Sequence, residues 1–158
     1  MEKYHLREIG FFKVQEDCAR IDLHKRFAPA LTGLKGYSHL NVIWWFSGFE
    51  DQESRNRLVE KAPYKSGPAE LGTFATRSPL RPNPLALSCA EVISVDEENG
   101  FISISYTDAH DGSPVLDIKP YIPSLDRIMR FKVPQWCSHW PESAEESASF
   151  NWEAEFNF

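Results

Sequence analysis

Arg77, Arg81 and Asn83 stand on a stretch from Phe74 to Ser88 that also holds Pro79, Pro82 and Pro84. Each proline fixes its own φ and pushes the preceding residue into extended backbone, so Ser78, Arg81 and Asn83 are predicted to sit on a stiff loop. A guanidinium presented on stiff backbone can meet a carboxylate or phosphate through paired hydrogen bonds at little ordering cost. The same composition also suits a loop that only ends one strand and begins the next, its arginines solvated.

A second stretch runs from Asp108 to Asp126. Asp111-Gly112 predicts a turn and Val115 to Ile118 a short buried strand, with Pro120 and Pro123 stiffening its exit. Asp117 and Lys119 lie two apart, so on extended backbone they share one face, opposite Leu116 and Ile118. A carboxylate beside an ammonium can serve acid–base and anion-holding work, or can be a surface ion pair of small energetic worth. In a third stretch, Gly33 to Phe46, His39 stands at the mouth of an apolar run with Ser38 and Asn41 beside it. It is a candidate ligand contact or a hydrogen-bonded framework residue, while Trp44, Trp45 and Phe46 read as core or dimer contact.

The elements that position these residues are mainly strands. Apolar and polar residues alternate with period two over Leu6 to Lys13, Ala19 to Leu23, Leu85 to Val95 and Phe101 to Tyr106. The last two are predicted to form a hairpin, because Asn99-Gly100 supplies cheap positive φ at its turn. His39 to Phe46 is apolar enough to predict a central strand buried on both faces. Helix is predicted only over Ser54 to Lys61 and from Pro141 to Glu146. The expected fold is therefore mainly β, with antiparallel strands forming a closed or partly open barrel and few short helices. One domain is predicted over residues 1–158, with 137–158 an aromatic and acidic extension that adds a strand or docks on the body. Cys89, on an alternating strand, is predicted to be core.

Composition narrows the function. With 42% apolar and 25% charged residues among 158, the chain is globular in type, and no apolar run approaches the length of a membrane span. The start, Met1 to His5, lacks the apolar region of an export signal. Cys18, Cys89 and Cys137 form no C-x-x-C pair, so a cytoplasmic, reduced setting is expected. A net charge of −6 argues against coating nucleic acid through bulk charge, leaving a local basic patch to hold any such substrate. No G-x-G-x-x-G, Walker, H-E-x-x-H, G-x-S-x-G or zinc-type spacing occurs, and no metal site is expected.

Taken together, Gly33 to Leu40, Phe74 to Ser88 and Asp111 to Tyr121 resemble the TsaA-like family of tRNA N6-adenosine methyltransferases, in the same order and over roughly residues 5–136. The resemblance implies a homodimeric β-barrel methyltransferase that binds S-adenosylmethionine near the subunit interface. It places cofactor contacts on His39, Leu40, Arg77, Leu87, Asp111, Gly112, Ser113 and Pro114. It also implies methyl transfer to N6 of the threonylcarbamoylated adenosine 3′ of the anticodon, with the tRNA anticodon loop as partner. On that reading Asp117 accepts the proton or orients N6, Tyr121 stacks on the base, and Lys119 and Arg81, with Asn83 nearby, hold phosphate or the threonyl carboxylate. A methyltransferase on another small acceptor and a non-catalytic binding module are the alternatives. The chain departs from the family pattern at Phe12 to Arg20, which is short and lacks a Pro-Arg-Gln run, and at Ala86, commonly glycine.

Overall fold

The structure is a computed structural model that describes residues 4–15 and 18–157. Six strands close into an antiparallel barrel in the order β1 (Gly10–Gln15), β2 (Cys18–Leu23), β7 (Phe101–Ile104), β6 (Leu85–Asp96), β3 (His39–Trp45) and β8 (Pro114–Pro120). A two-stranded ribbon, β4 (Val59–Lys61) with β5 (Glu70–Gly72), stands beside it. The expected barrel is the observed one, closed among the described residues.

Period-two patterning explains the closure, because every second side chain turns inward and fills the interior. Phe12, Ile21, Leu40, Val42, Trp44, Ile102, Ile104 and Val115 are almost wholly buried and form the core. Trp44 meets Phe12 edge to face at 5.6 Å, and its indole N–H donates to Ser88 Oγ at 2.9 Å, so the one polar atom of this large ring is satisfied inside the barrel. Gly10 is required where β1 crosses β2, since a Cβ there would lie 2.2 Å from the Asp22 carbonyl oxygen. The β6–β7 turn ends on Gly100 at φ 74°, with Asp96 accepting from the Asn99 amide at 2.9 Å, as its Asn-Gly sequence predicts.

Several expectations are corrected. β3 is not buried on both faces. It alternates strictly, with Leu40, Val42 and Trp44 inside and His39, Asn41, Ile43 and Trp45 half-buried on the outer wall. The stretch from Leu6 becomes strand only at Gly10, and Leu6 is exposed. The helix expected over Ser54 to Lys61 is a single turn, α1 (Gln52–Arg55), capped by Asp51, after which Val59 pairs with Gly72 in the ribbon. Cys89 is exposed because it belongs to the outward set of β6.

Beyond β8 come two further single turns, α2 (Pro123–Asp126) and α3 (Ala144–Ser147), and then a folded-back tail. Ser143 caps α3, accepting from the Glu146 amide at 3.1 Å. Phe156 bridges Tyr64, and Tyr64, Trp136, Trp140, Phe150, Trp152 and Phe156 pack ring on ring into a second small apolar cluster. The tail both docks and adds one strand-like bridge.

Candidate active site

The stretch from Thr73 to Pro84 folds as its prolines predict and is stitched by its own polar groups. Buried Thr73 donates through Oγ1 to the Arg57 carbonyl at 2.9 Å and fixes the start of the loop. Thr76 donates to the Thr73 carbonyl at 2.9 Å, and the Leu80 amide donates to Ser78 Oγ at 3.2 Å. Arg81 bends back to donate to the carbonyls of Thr76, at 2.7 Å, and Ser78. Arg55 donates to the Pro82 carbonyl at 3.0 Å, and the Phe46 amide to that of Pro84 at 2.8 Å. Arg81 therefore spends two donors on the loop itself, so its main place is as a brace. Asn83 is exposed at the loop's tip.

The braced loop aims Arg77 at the start of β6. There Nη1 donates to the Leu87 carbonyl at 3.4 Å, and the exposed guanidinium keeps its other donors available among the described residues. β6 pairs with β7 only from Val92 onward, so its first half has an edge not covered by that neighbour. Against this edge lies a cleft of about 180 Å3, lined by Phe46, Arg77, Arg81, Leu85 to Ser88 and Asp108. A cation, a carboxylate, an aromatic face and strand-edge main chain converge there, a set suited to a zwitterionic ligand with a planar base. Cofactor pockets usually hold about 300–1,000 Å3, so this cleft encloses only part of such a molecule. A larger hollow of about 430 Å3 beside the β6–β7 turn, lined by Lys35, Ser94 to Glu98 and Phe101, contains none of the candidate site residues.

Phe46 and Asp108 were not among the sequence candidates. Asp108 stands three residues before the Asp111 turn, and Phe46 reads from the sequence as core or dimer contact. Only the crossing of β3, β6 and the segment after β7 shows that they share a cleft with Arg77.

Across the outer wall, Leu87 of β6 lies opposite Ile43 of β3, and Ile43 opposite Asp117 of β8. Two strand spacings, about 10 Å, separate the backbones of Leu87 and Asp117. Asp117 and Lys119 share the outer face as their spacing predicts, with Ile118 turned against the core. Leu116 has no partner on β3, because a bulge sets Val115 opposite Trp44 while Asp117 stays opposite Ile43. Lys119 Nζ lies 2.7 Å from Asp117 Oδ2, and Asp117 Oδ1 accepts from the Ile118 amide at 3.0 Å. That hydrogen bond and charge hold the Lys119 ammonium above its ordinary pKa.

The Asp111 turn sits at the other side of β8. Asp111 Oδ1 accepts from the Val14 amide at 2.8 Å, and the Gly112 amide donates to the Phe12 carbonyl at 2.8 Å. Gly112 adopts φ 80°, which a side chain would strain. Asp111 and Gly112 are exposed and Pro114 half-buried, but Ser113 is 1% exposed, with its hydroxyl enclosed and without a hydrogen-bond partner among the described residues. Leu40 is likewise shut in the core at 0%. Neither Leu40 nor Ser113 can present a side chain to a ligand outside the barrel.

His39 lies far from the cleft in one chain. It adjoins Tyr121, whose amide donates to the His39 carbonyl at 3.0 Å and whose ring lies 6.2 Å away, whereas Trp44 faces Val115. Five residues of strand, about 17 Å, separate the two ends. One chain thus brings together Arg77, Leu87, Phe46 and Asp108, places Asp117 and Lys119 along the wall, and leaves His39 with Tyr121 at the opposite end.

A closed antiparallel barrel with a strand-edge cleft stands apart from the parallel sheets that bind nucleotides at a glycine-rich turn. Within that class, the chain belongs to the family described as the tRNA-methyltransferase O N-terminal domain, whose model matches residues 12–127. It is 33% identical over 134 residues to an S-adenosyl-L-methionine-binding protein of Archaeoglobus fulgidus, covering 78% of this chain and 91% of that one. It is 36% identical over 103 residues to the tRNA (adenine(37)-N6)-methyltransferase of Escherichia coli, covering 64% of this chain and 43% of the enzyme. The structure is similar to TrmO from Pseudomonas aeruginosa, with a TM-score of 0.64 at 25% identity over 83% of this chain and 62% of that one. The chain thus spans less than two thirds of both the Escherichia coli enzyme and the Pseudomonas aeruginosa protein.

Proposed function

We propose that the protein is an S-adenosylmethionine-dependent methyltransferase acting on N6 of the threonylcarbamoyladenosine 3′ of the tRNA anticodon. The observation that carries the cofactor assignment is the cleft on the β6 edge, where Arg77, Asp108 and Phe46 meet. Arg77 suits the carboxylate of the methionine moiety, Asp108 its ammonium or a ribose hydroxyl, and Phe46 and the main chain of β6 the adenine. Asp111, Gly112 and Pro114 are assigned to the same ligand through their place in the family motif. When bound, the cofactor supplies an electrophilic methyl group on a sulfonium.

The chain's own part is positioning and proton handling. Asp117, about two strands from Leu87, takes the proton shed by the acceptor nitrogen after Lys119 exchanges its contact for an anionic group of the substrate. Tyr121 offers a face on which a base can stack. The unpaired anticodon loop presents its base at little cost.

The protein works as a cytoplasmic homodimer on this reading. The small cleft, the separation of His39 from it, and the exposed Leu87 and Ile93 support completion of the site by a second copy. The test is incubation with methyl-labelled S-adenosylmethionine and tRNA carrying threonylcarbamoyladenosine, followed by nucleoside analysis. Label in N6-methylated threonylcarbamoyladenosine supports the proposal. Cofactor binding without transfer to any tRNA favours a binding module, a reading supported by the short β1–β2 connection, in which Gln15 pairs directly with Cys18.

A further inference from the structure

The segment leaving β8 carries Arg127, Arg130 and Lys132 within six residues, and no acidic residue occurs from Arg127 to Pro141, in a chain of net charge −6. Its apolar side chains are also outside, with Ile128 69%, Met129 73% and Phe131 46% exposed. Its root is fixed on the outer wall. Asp126 accepts from Asn41 Nδ2 at 2.9 Å and from the Ile122 amide at 2.7 Å, and Asn41 lies opposite Lys119 in the register. Lys119 is tied to Asp117, and Glu145 on α3 faces Arg127 closely enough to be influenced by its charge. Arg130 and Lys132 take part in no ion pair among the described residues. Elsewhere, Arg57 is turned towards Glu60, Lys65 Nζ towards the Glu153 carbonyl, and Arg55 towards Pro82, so these cations are engaged locally.

From this we infer that residues 127–133 form a docking track for the tRNA backbone beside the anticodon loop, with Arg130 and Lys132 on phosphates and Phe131 against an unstacked base. This rests on the tRNA reading above and adds to it where the nucleic acid lies. Charge complementarity selects a polyanion as the occupant, and interleaved cations and an aromatic ring match the way single-stranded RNA is held. The track begins where Asp117, Lys119 and Tyr121 stand, so RNA lying along it passes the proposed acceptor side.

The test measures binding of a labelled anticodon stem-loop RNA across a salt series, for the full chain and for Arg130→Gln/Lys132→Gln, with S-adenosylmethionine calorimetry and sedimentation on the same samples. The expected result is at least a tenfold loss of RNA affinity at low salt. The log–log salt slope should fall by about 1.4–1.8, one phosphate contact per cation. Cofactor binding and oligomeric state stay unchanged. Phe131→Ala should weaken RNA binding without altering the salt slope. RNA binding by the wild type that the double variant retains in full overturns the track and leaves the tRNA reading standing. A change of oligomeric state in Phe131→Ala with RNA affinity intact assigns the segment to a subunit interface and also overturns it. Failure of the wild type to bind the RNA at any salt removes both readings.

Discussion

Arg77 donates from Nη1 to the main-chain oxygen of Leu87 at 3.4 Å, tying the proline-rich loop to the edge of β6 that β7 leaves uncovered. The contact is long for a hydrogen bond, so it guides the guanidinium towards the cleft without using up its donors. Arg77→Ala should lower S-adenosylmethionine affinity by about 10- to 150-fold, the worth of one charge-assisted hydrogen bond, with little change in thermal stability. Arg77→Lys should recover only part of this, because an ammonium lacks the planar fork. Calorimetry alongside thermal melts checks both.

Arg81 has a different duty. Its donors go to the carbonyls of Thr76 and Ser78, so Arg81→Ala should loosen the loop and lower both the melting temperature and cofactor affinity. A loss of about 1–3 kcal/mol in stability is expected from the two unsatisfied carbonyls. An unchanged melting temperature with weakened RNA binding alone would instead place Arg81 on phosphate. Denaturant melts and RNA titrations of one variant distinguish the outcomes.

The barrel seam should be intolerant at Gly10. A methyl group there would meet the Asp22 carbonyl oxygen at 2.2 Å, and backbone cannot swing aside as a side-chain tip can. Gly10→Ala should cost at least about 1–3 kcal/mol, the range for overpacking, read from urea unfolding.

The tail should respond to acid. Glu155 accepts from the Trp140 indole N–H at 3.1 Å and lies 2.9 Å from His139 Nε2, and these contacts, Trp140 first, hold its carboxyl below its ordinary pKa of 4.5. Because the folded value is depressed, the stabilisation is present above the ordinary value and is lost as pH falls through the folded one. Tryptophan emission should therefore shift below about pH 4.5, and Glu155→Gln should shift it at neutral pH and flatten the transition.

Much of the architecture was legible because barrel strands obey a two-residue period and tight turns need Asn-Gly or Asp-Gly. The stiffness of the loop at residues 74–84 followed from three prolines alone. What the sequence concealed depends on long-range crossing. Apolar residues on the outer wall, such as Ile43 and Trp45, read the same as core ones, so β3 looked buried on both faces. Phe46 and Asp108 are far apart in the chain and meet only at the β6 edge. Leu40 and Ser113 stand within the motifs but point into the interior, a fact set by register. His39 belongs to the motif yet lies at the far end of β3 from the cleft, because β3 and β6 run antiparallel and the start of β6 at the cleft faces the end of β3.

Calorimetry of S-adenosylmethionine against the full chain, with Asp108→Asn and Arg77→Ala beside it, asks whether the cleft bounded by Phe46, Arg77 and Asp108 holds the cofactor. Saturable binding to the wild type is expected, about one cofactor per subunit, weakened at least tenfold in each variant while both remain folded. No binding to the folded wild type, or equal binding by all three proteins, would contradict it.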